Sequence, residues 1–234
     1  MIIKMDVARV FPATDPVAID LLRLMCGCCD LFHVTKWILG SMQRPKEFGG
    51  VVIAHGKTML QFRLLASYLH ESLSVLHHLI DCPGFEVLRS LLPLDNIRHL
   101  AELHNIKLKG EGFTSKDWGV SEVIRRSRHT ASFHYDIKET QEALNRWTTD
   151  GFRFGKEGYF VVELDKNQEK AWSYYAIADL VRAEISFGLT NENLDKNNKD
   201  LLDLVGRLTG LVQRLFFAYV DHRNLHDFVS RRGP

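Results

Sequence analysis

The chain has 234 residues, of which 45% are hydrophobic and 25% charged, and its 30 Lys+Arg against 29 Asp+Glu leave a formal net charge of +1. That composition excludes a disordered chain and a protein that coats nucleic acid by bulk charge, while leaving room for a local basic patch. One domain over residues 1–234, with enough apolar residues for a sizeable core, is the economical expectation.

The first residues carry no signal-peptide pattern. Pro12 and Pro16 punctuate the start of a helix expected from Pro16 to Leu39, apolar on nearly every face and therefore suited to the middle of a bundle. Asp20, Arg23, Asp30 and Lys36 interrupt its apolar run, so it reads as a buried core helix and no membrane is expected. Cys26, Cys28 and Cys29 lie on this helix, and with Cys82 they form no paired Cys-x-x-Cys knuckles. Buried, reduced thiols, no metal and a cytoplasmic location are expected from that pattern.

After a loop over Pro45 to Gly50, apolar residues at helical spacing run from Lys57 to Ile80, and Cys82-Pro83-Gly84 ends them. A short helix from Phe85 to Leu91 follows. Asp95 is the expected N-cap of the next one, which Gly110 and Gly112 close. A basic helix then begins at Thr114 or Ser115 and reaches Tyr135, and Asp136 with Glu139 forms a capping-box pattern for a helix from Ile137 to Trp147. Residues 151–165 predict an inserted β-hairpin, with Phe152–Phe154 and Tyr159–Leu164 as arms around Gly155 to Gly158. Helices from Glu169 to Phe187 and from Asn198 to Phe228 complete an all-α helical bundle with one small hairpin.

Eleven histidines raise a metal hypothesis that spacing does not support. No Glu has a His three residues later, Ser74 stands where a zincin needs its second His after His70-Glu71, and no Asp follows the His226-Asp227 pair. Gly110-Glu-Gly112 lacks the rest of a dinucleotide fingerprint, and there is no phosphate-binding Gly-Lys-Ser/Thr loop, so no cofactor is expected. On the hairpin, Phe152, Phe154, Tyr159 and Phe160 offer a base-stacking surface, although such residues more often pack a hairpin onto its domain.

The run Arg128-His129-Thr130-Ala131-Ser132-Phe133-His134-Tyr135-Asp136 carries the most chemistry. It couples a permanently charged, phosphate-matching guanidinium to an imidazole that moves protons near neutral pH. That pairing resembles the Arg-x(4 to 6)-His signature of the HEPN superfamily, in which a polar residue follows the Arg, here His129. Phe133 to Asp136 are similar in type and spacing to an Arg-Asn-Lys-x-x-Phe-His-Tyr-Asp stretch of a group of bacterial HEPN-like proteins. The resemblance covers about a quarter of the chain at motif strength.

What it implies is a HEPN-like bundle and a metal-independent endoribonuclease, of toxin or antiphage-defence type, that attacks RNA through its own 2′-hydroxyl. Arg128 and His134 would be catalytic, with His129, Tyr135 and Arg125 as supporting or RNA-binding residues. The implied partners are RNA, a second copy of the chain, and an antitoxin or defence protein. On a regular helix Arg128 and His134 would lie about 9 Å apart in rise and about 120° apart in rotation, which favours a composite site across a dimer. The alternative is a noncatalytic HEPN-like dimerisation or RNA-binding module. One departure counts against regulation by tyrosine modification: Tyr135 follows His134 directly, whereas the HEPN toxins place that Tyr two positions after the His.

Overall fold

The computed structural model describes residues 2–40, 48–108, 119–128, 141, 162–164, 173–175, 187, 194–226 and 229–232. They are predominantly helical. In order, the elements are β1 (Ile2–Met5), α1 (Val7–Val10), α2 (Pro16–Gly40), α3 (Phe48–Ile80), α4 (Phe85–Ser90), α5 (Leu94–His104), α6 (Val120–Arg126), β2 (Val162–Leu164), β3 (Ser173–Tyr175), α7 (Leu194–His222) and β4 (Val229–Arg232). None of the described helices is long and apolar enough to cross a membrane.

Two compact units emerge, one from residues 1–31, 69–108 and 203–234, the other from 32–68 and 109–202. The first is built around buried leucines at helical spacing. Leu21 and Leu24 of α2, Leu69, Leu73 and Leu76 of α3, and Leu208, Leu211 and Leu215 of α7 are all fully buried. Each such side chain contributes roughly 1.5 to 3 kcal/mol of burial free energy. In the second unit the core comes from Val34 and Ile38 of α2, Phe62 and Leu65 of α3, and Val123 and Ile124 of α6.

Local signals explain most helix ends. Pro16 occupies the first turn of α2, and Asp15 caps it, its Oδ1 accepting from the Val17 and Ala18 amides at 3.0 and 3.4 Å. Past α3, Gly84 takes φ +92°, a left-handed conformation open to glycine, so α4 can start immediately. At the far end Asn224 has φ 53°, and the Leu225 amide reaches back 3.0 Å to the Val220 carbonyl. That left-handed cap ends α7 at His222, six residues short of the expected Phe228.

Several expectations need correction. α2 is not surrounded by core: Phe32, Trp37 and Leu39 are exposed, as are Cys26 and Cys29, while Cys28 is half-buried. α3 starts at Phe48, so Gly49 and Gly50 are helical instead of forming a loop. α5 begins at Leu94 after Pro93, which leaves Asp95 in the first turn rather than at the cap, bonded to Arg98 at 3.5 Å. α6 begins at Val120 because Gly119, its N-cap, is extended, and the expected start at Thr114 or Ser115 lies outside the described residues. α7 starts at Leu194 instead of Asn198.

The sheet also differs from expectation. Val162–Leu164 pairs antiparallel with Ser173–Tyr175, a segment expected to be helical, and residues 152–154 lie outside those described. The inserted hairpin of residues 151–165 is thus not supported. A second, unexpected ladder joins the chain ends, with Ile2 opposite Arg232 and Met5 opposite Val229.

Candidate functional site

Of the motif residues, Arg128 and Arg125 fall within the described structure, whereas His129, His134 and Tyr135 lie outside it, as do Asp136 and Glu139. The described part is the end of α6. Val123 and Ile124 are fully buried and fix one face of this short helix. Ser127 and Arg128 then widen into a π-type turn, a geometry that recurs at functional sites. The Ser127 carbonyl would otherwise be one of the orphan acceptors of a helix end, and Ser67 of α3 satisfies it, its Oγ donating across 3.2 Å. Both serines are buried, so the residue next to Arg128 is tied to α3, and Arg128 itself is half-buried.

The neighbouring Arg125 and Arg126 both pair with Glu122. Glu122 stands three and four residues before Arg125 and Arg126, the spacing that stacks side chains on one helix face. Its Oε2 accepts from Arg125 Nε at 3.1 Å and its Oε1 from Arg126 Nε at 2.7 Å. With side chains only 13% and 6% exposed, these two guanidiniums help hold the helix in place.

Two further polar clusters lie in the first unit, and sequence reasoning found neither. In one, Asp15 Oδ2 accepts from the Tyr219 hydroxyl at 3.2 Å and from Arg223 Nη2, so one carboxylate both caps α2 and clasps the end of α7. Burial, and then the negative charge of Asp15, push the Tyr219 phenol up to about 12.

The other cluster joins Asp20 of α2 to His78 and Cys82 at the end of α3. Asp20 Oδ2 is hydrogen-bonded to His78 Nδ1 and accepts from the Cys82 thiol at 3.6 Å, while Cys82 Sγ lies 4.0 Å from the same His78 Nδ1. On the opposite carboxylate oxygen, Arg23 Nη1 donates at 2.8 Å. Asp20 is buried and His78 exposed, with Cys82 between the two. Burial alone would raise the Asp20 carboxyl, but hydrogen bonds from His78 and Arg23 outweigh it and hold the group below its usual range. Burial, reinforced by the Asp20 carboxylate and the charges of Asp81 and Asp15, pushes the Cys82 thiol up. An interrupted apolar pattern at Asp20 was the one sequence signal, and it did not say what the carboxylate would meet.

Comparison with protein-family models, with curated proteins and with solved structures returned no match to this chain.

Proposed function

We propose that the chain is a HEPN-like, metal-independent endoribonuclease, with Arg128 and His134 acting on RNA at a composite site built by two copies of the chain. The observation that carries this reading is the run from Arg128 to Asp136, which sets a guanidinium, an imidazole and a phenol within one short segment. Support from the described residues is the setting of Arg128, which is half-buried and follows a buried, hydrogen-bonded serine in a π-type turn.

The chemistry follows from the residue types. An imidazole titrating near neutral pH removes the proton of the ribose 2′-hydroxyl, and that oxygen attacks the adjacent phosphorus. The phosphorus–5′-oxygen bond breaks, and the second protomer's imidazolium returns a proton to the leaving oxygen. Arg128 stabilises the extra negative charge of the pentacoordinate transition state. The products are a 2′,3′-cyclic phosphate, or the 3′-phosphate formed from it, and a 5′-hydroxyl.

Incubating total RNA with the purified chain in EDTA tests this reading. Cleavage should leave those termini, and His134→Ala and Arg128→Ala should each lower it by on the order of 10²-fold or more at unchanged helical content. RNA binding without cleavage would favour the noncatalytic module. Cleavage of DNA at an equal rate would overturn the mechanism, because DNA has no 2′-hydroxyl to attack with.

A further inference from the structure

From the convergence of Asp20 Oδ2, His78 Nδ1 and Cys82 Sγ, three donor atoms all within 4.8 Å of one another, we infer a binding site for one zinc-class divalent ion. The donor set is one carboxylate oxygen, one imidazole nitrogen and one sulfur, a mixture that suits a borderline-soft ion taking four ligands in a tetrahedron. Ligands of such an ion lie about 3.4 to 3.6 Å from one another, from metal–ligand lengths of about 2.0 to 2.3 Å. The sulfur–oxygen separation of 3.6 Å already matches, the sulfur–nitrogen separation of 4.0 Å is a few tenths longer, and Asp20 Oδ2 and His78 Nδ1, in direct hydrogen-bond contact, stand closer than two ligands of one ion, so the His78 ring would swing outward to admit it.

A Cys-His-Asp catalytic triad is the competing use of these residue types, and the geometry speaks against it. In a triad the carboxylate and the thiol sit on opposite ring nitrogens of the histidine. Here both face Nδ1.

Asp20 is suited to binding through one oxygen. Arg23 holds Oδ1, which orients the carboxylate and leaves Oδ2 for the ion, in the manner of the outer partners that align ligands at metal sites. The ion would take the place of the hydrogen bond between Asp20 and His78. His78, 66% exposed, has room to adjust its ring, and its solvent-facing side leaves the fourth position to water or an exogenous donor. Bound there, the ion staples α2 to the end of α3. This site is separate from the proposed ribonuclease chemistry, which uses no metal, so either can fail without the other.

The test is a Co²⁺ titration of the full chain, freed of metal by chelator and kept reduced, near neutral pH. Wild type should bind one Co²⁺ per chain with a sulfur-to-cobalt charge-transfer absorption and the strong visible bands of four-coordination, and Zn²⁺ should displace it. Cys82→Ser should abolish the charge-transfer absorption. His78→Ala, an exposed change that leaves the core intact, should weaken binding by at least about 10²-fold, the upper range for losing even an outer partner of a metal site. His226→Ala should change nothing. No charge-transfer absorption in wild type at saturating Co²⁺, or equal affinity in wild type and His78→Ala, would overturn the site.

Discussion

Glu122 and Asp20 are both carboxylates set on helices and holding several polar partners, yet they do so over very different spans of chain. Glu122 pairs with Arg125 and Arg126 of its own helix, three and four residues on. Asp20 finds one partner, Arg23, in the same local way, but His78 and Cys82 are 58 and 62 residues distant. The first arrangement is written in residue spacing. The second exists only once α2 and α3 pack, so no motif announces it. Local pairing secures a short helix, whereas pairing across helices gathers unlike donor atoms at one point, which is what a ligand site requires.

Removing Glu122 should produce the largest change in stability. Glu122→Ala withdraws the carboxylate from two mostly buried guanidiniums, and taking one partner from a buried charged group costs about 3 kcal/mol or more. Urea unfolding should show a matching fall in midpoint. If it moves by less than a tenth of that, the cluster is not what anchors α6.

Gly27 tests the packing that brings Asp20 to α3. A Cβ at this position would lie 3.4 Å from Ser72 Cβ and collide with its hydroxyl, so Gly27→Ala should cost about 1 to 3 kcal/mol through overpacking, although alanine is the better helix former. Adding Ser72→Ala removes the colliding atom. The double variant should regain most of the loss, and a simple sum of the two single effects would show that α2 and α3 do not approach there as described.

How much of this was legible follows the same division between near and far. The span of α2 and the end of α3 were readable because Pro16 and Cys82-Pro83-Gly84 act on their immediate neighbours. The pairing of Ile2–Met5 with Val229–Arg232 was not, since four-residue strands carry too little alternation to register and their partners stand at opposite ends of the chain. Ser173–Tyr175 falls within a helix expected from Glu169 to Phe187, yet it pairs as a strand with Val162–Leu164, because strand formation depends on a partner that local sequence does not show. At the candidate site, the residue types from Arg128 to Asp136 were plain in the sequence, and the bond from Ser67 to the Ser127 carbonyl next to Arg128 was not.

The Asp15 clasp should reveal itself in alkali. The Tyr219 phenol is pushed from 10.0 up to about 12 in the folded protein, first by burial and then by the charge of Asp15. A folded pKa above the unfolded one means that the stabilisation is complete below pH 10 and is lost as pH rises through 10 towards 12. Cys28, also pushed up to about 12 by burial, titrates in the same window, so the difference between wild type and Tyr219→Phe isolates the tyrosine. Urea midpoints should fall more steeply with pH in wild type than in Tyr219→Phe, and equal slopes would remove the clasp from the account.

The smallest effect belongs to Arg207, which bridges α7 to α5 by an ion pair with Glu102 at 2.8 Å and also meets Asp203, four residues back on its own helix, at 2.6 Å. On distance alone this pair resembles the Asp20–Arg23 contact, but the Glu102 link joins charges 105 residues apart whereas Asp20 and Arg23 are neighbours on one helix. Burial of one partner separates them: the Arg207 and Glu102 side chains are 39% and 56% exposed, whereas Arg23 is 56% exposed but its partner Asp20 only 3%. Water screens the exposed pair, and ordering two long side chains offsets much of the Coulomb gain, so a double-mutant cycle over Arg207→Ala and Glu102→Ala should give a coupling of about 0.2 to 1 kcal/mol that shrinks with added salt. A coupling several times larger and insensitive to salt would mean that exposure does not divide these contacts, and that bringing distant charges together is itself what stabilises the first unit.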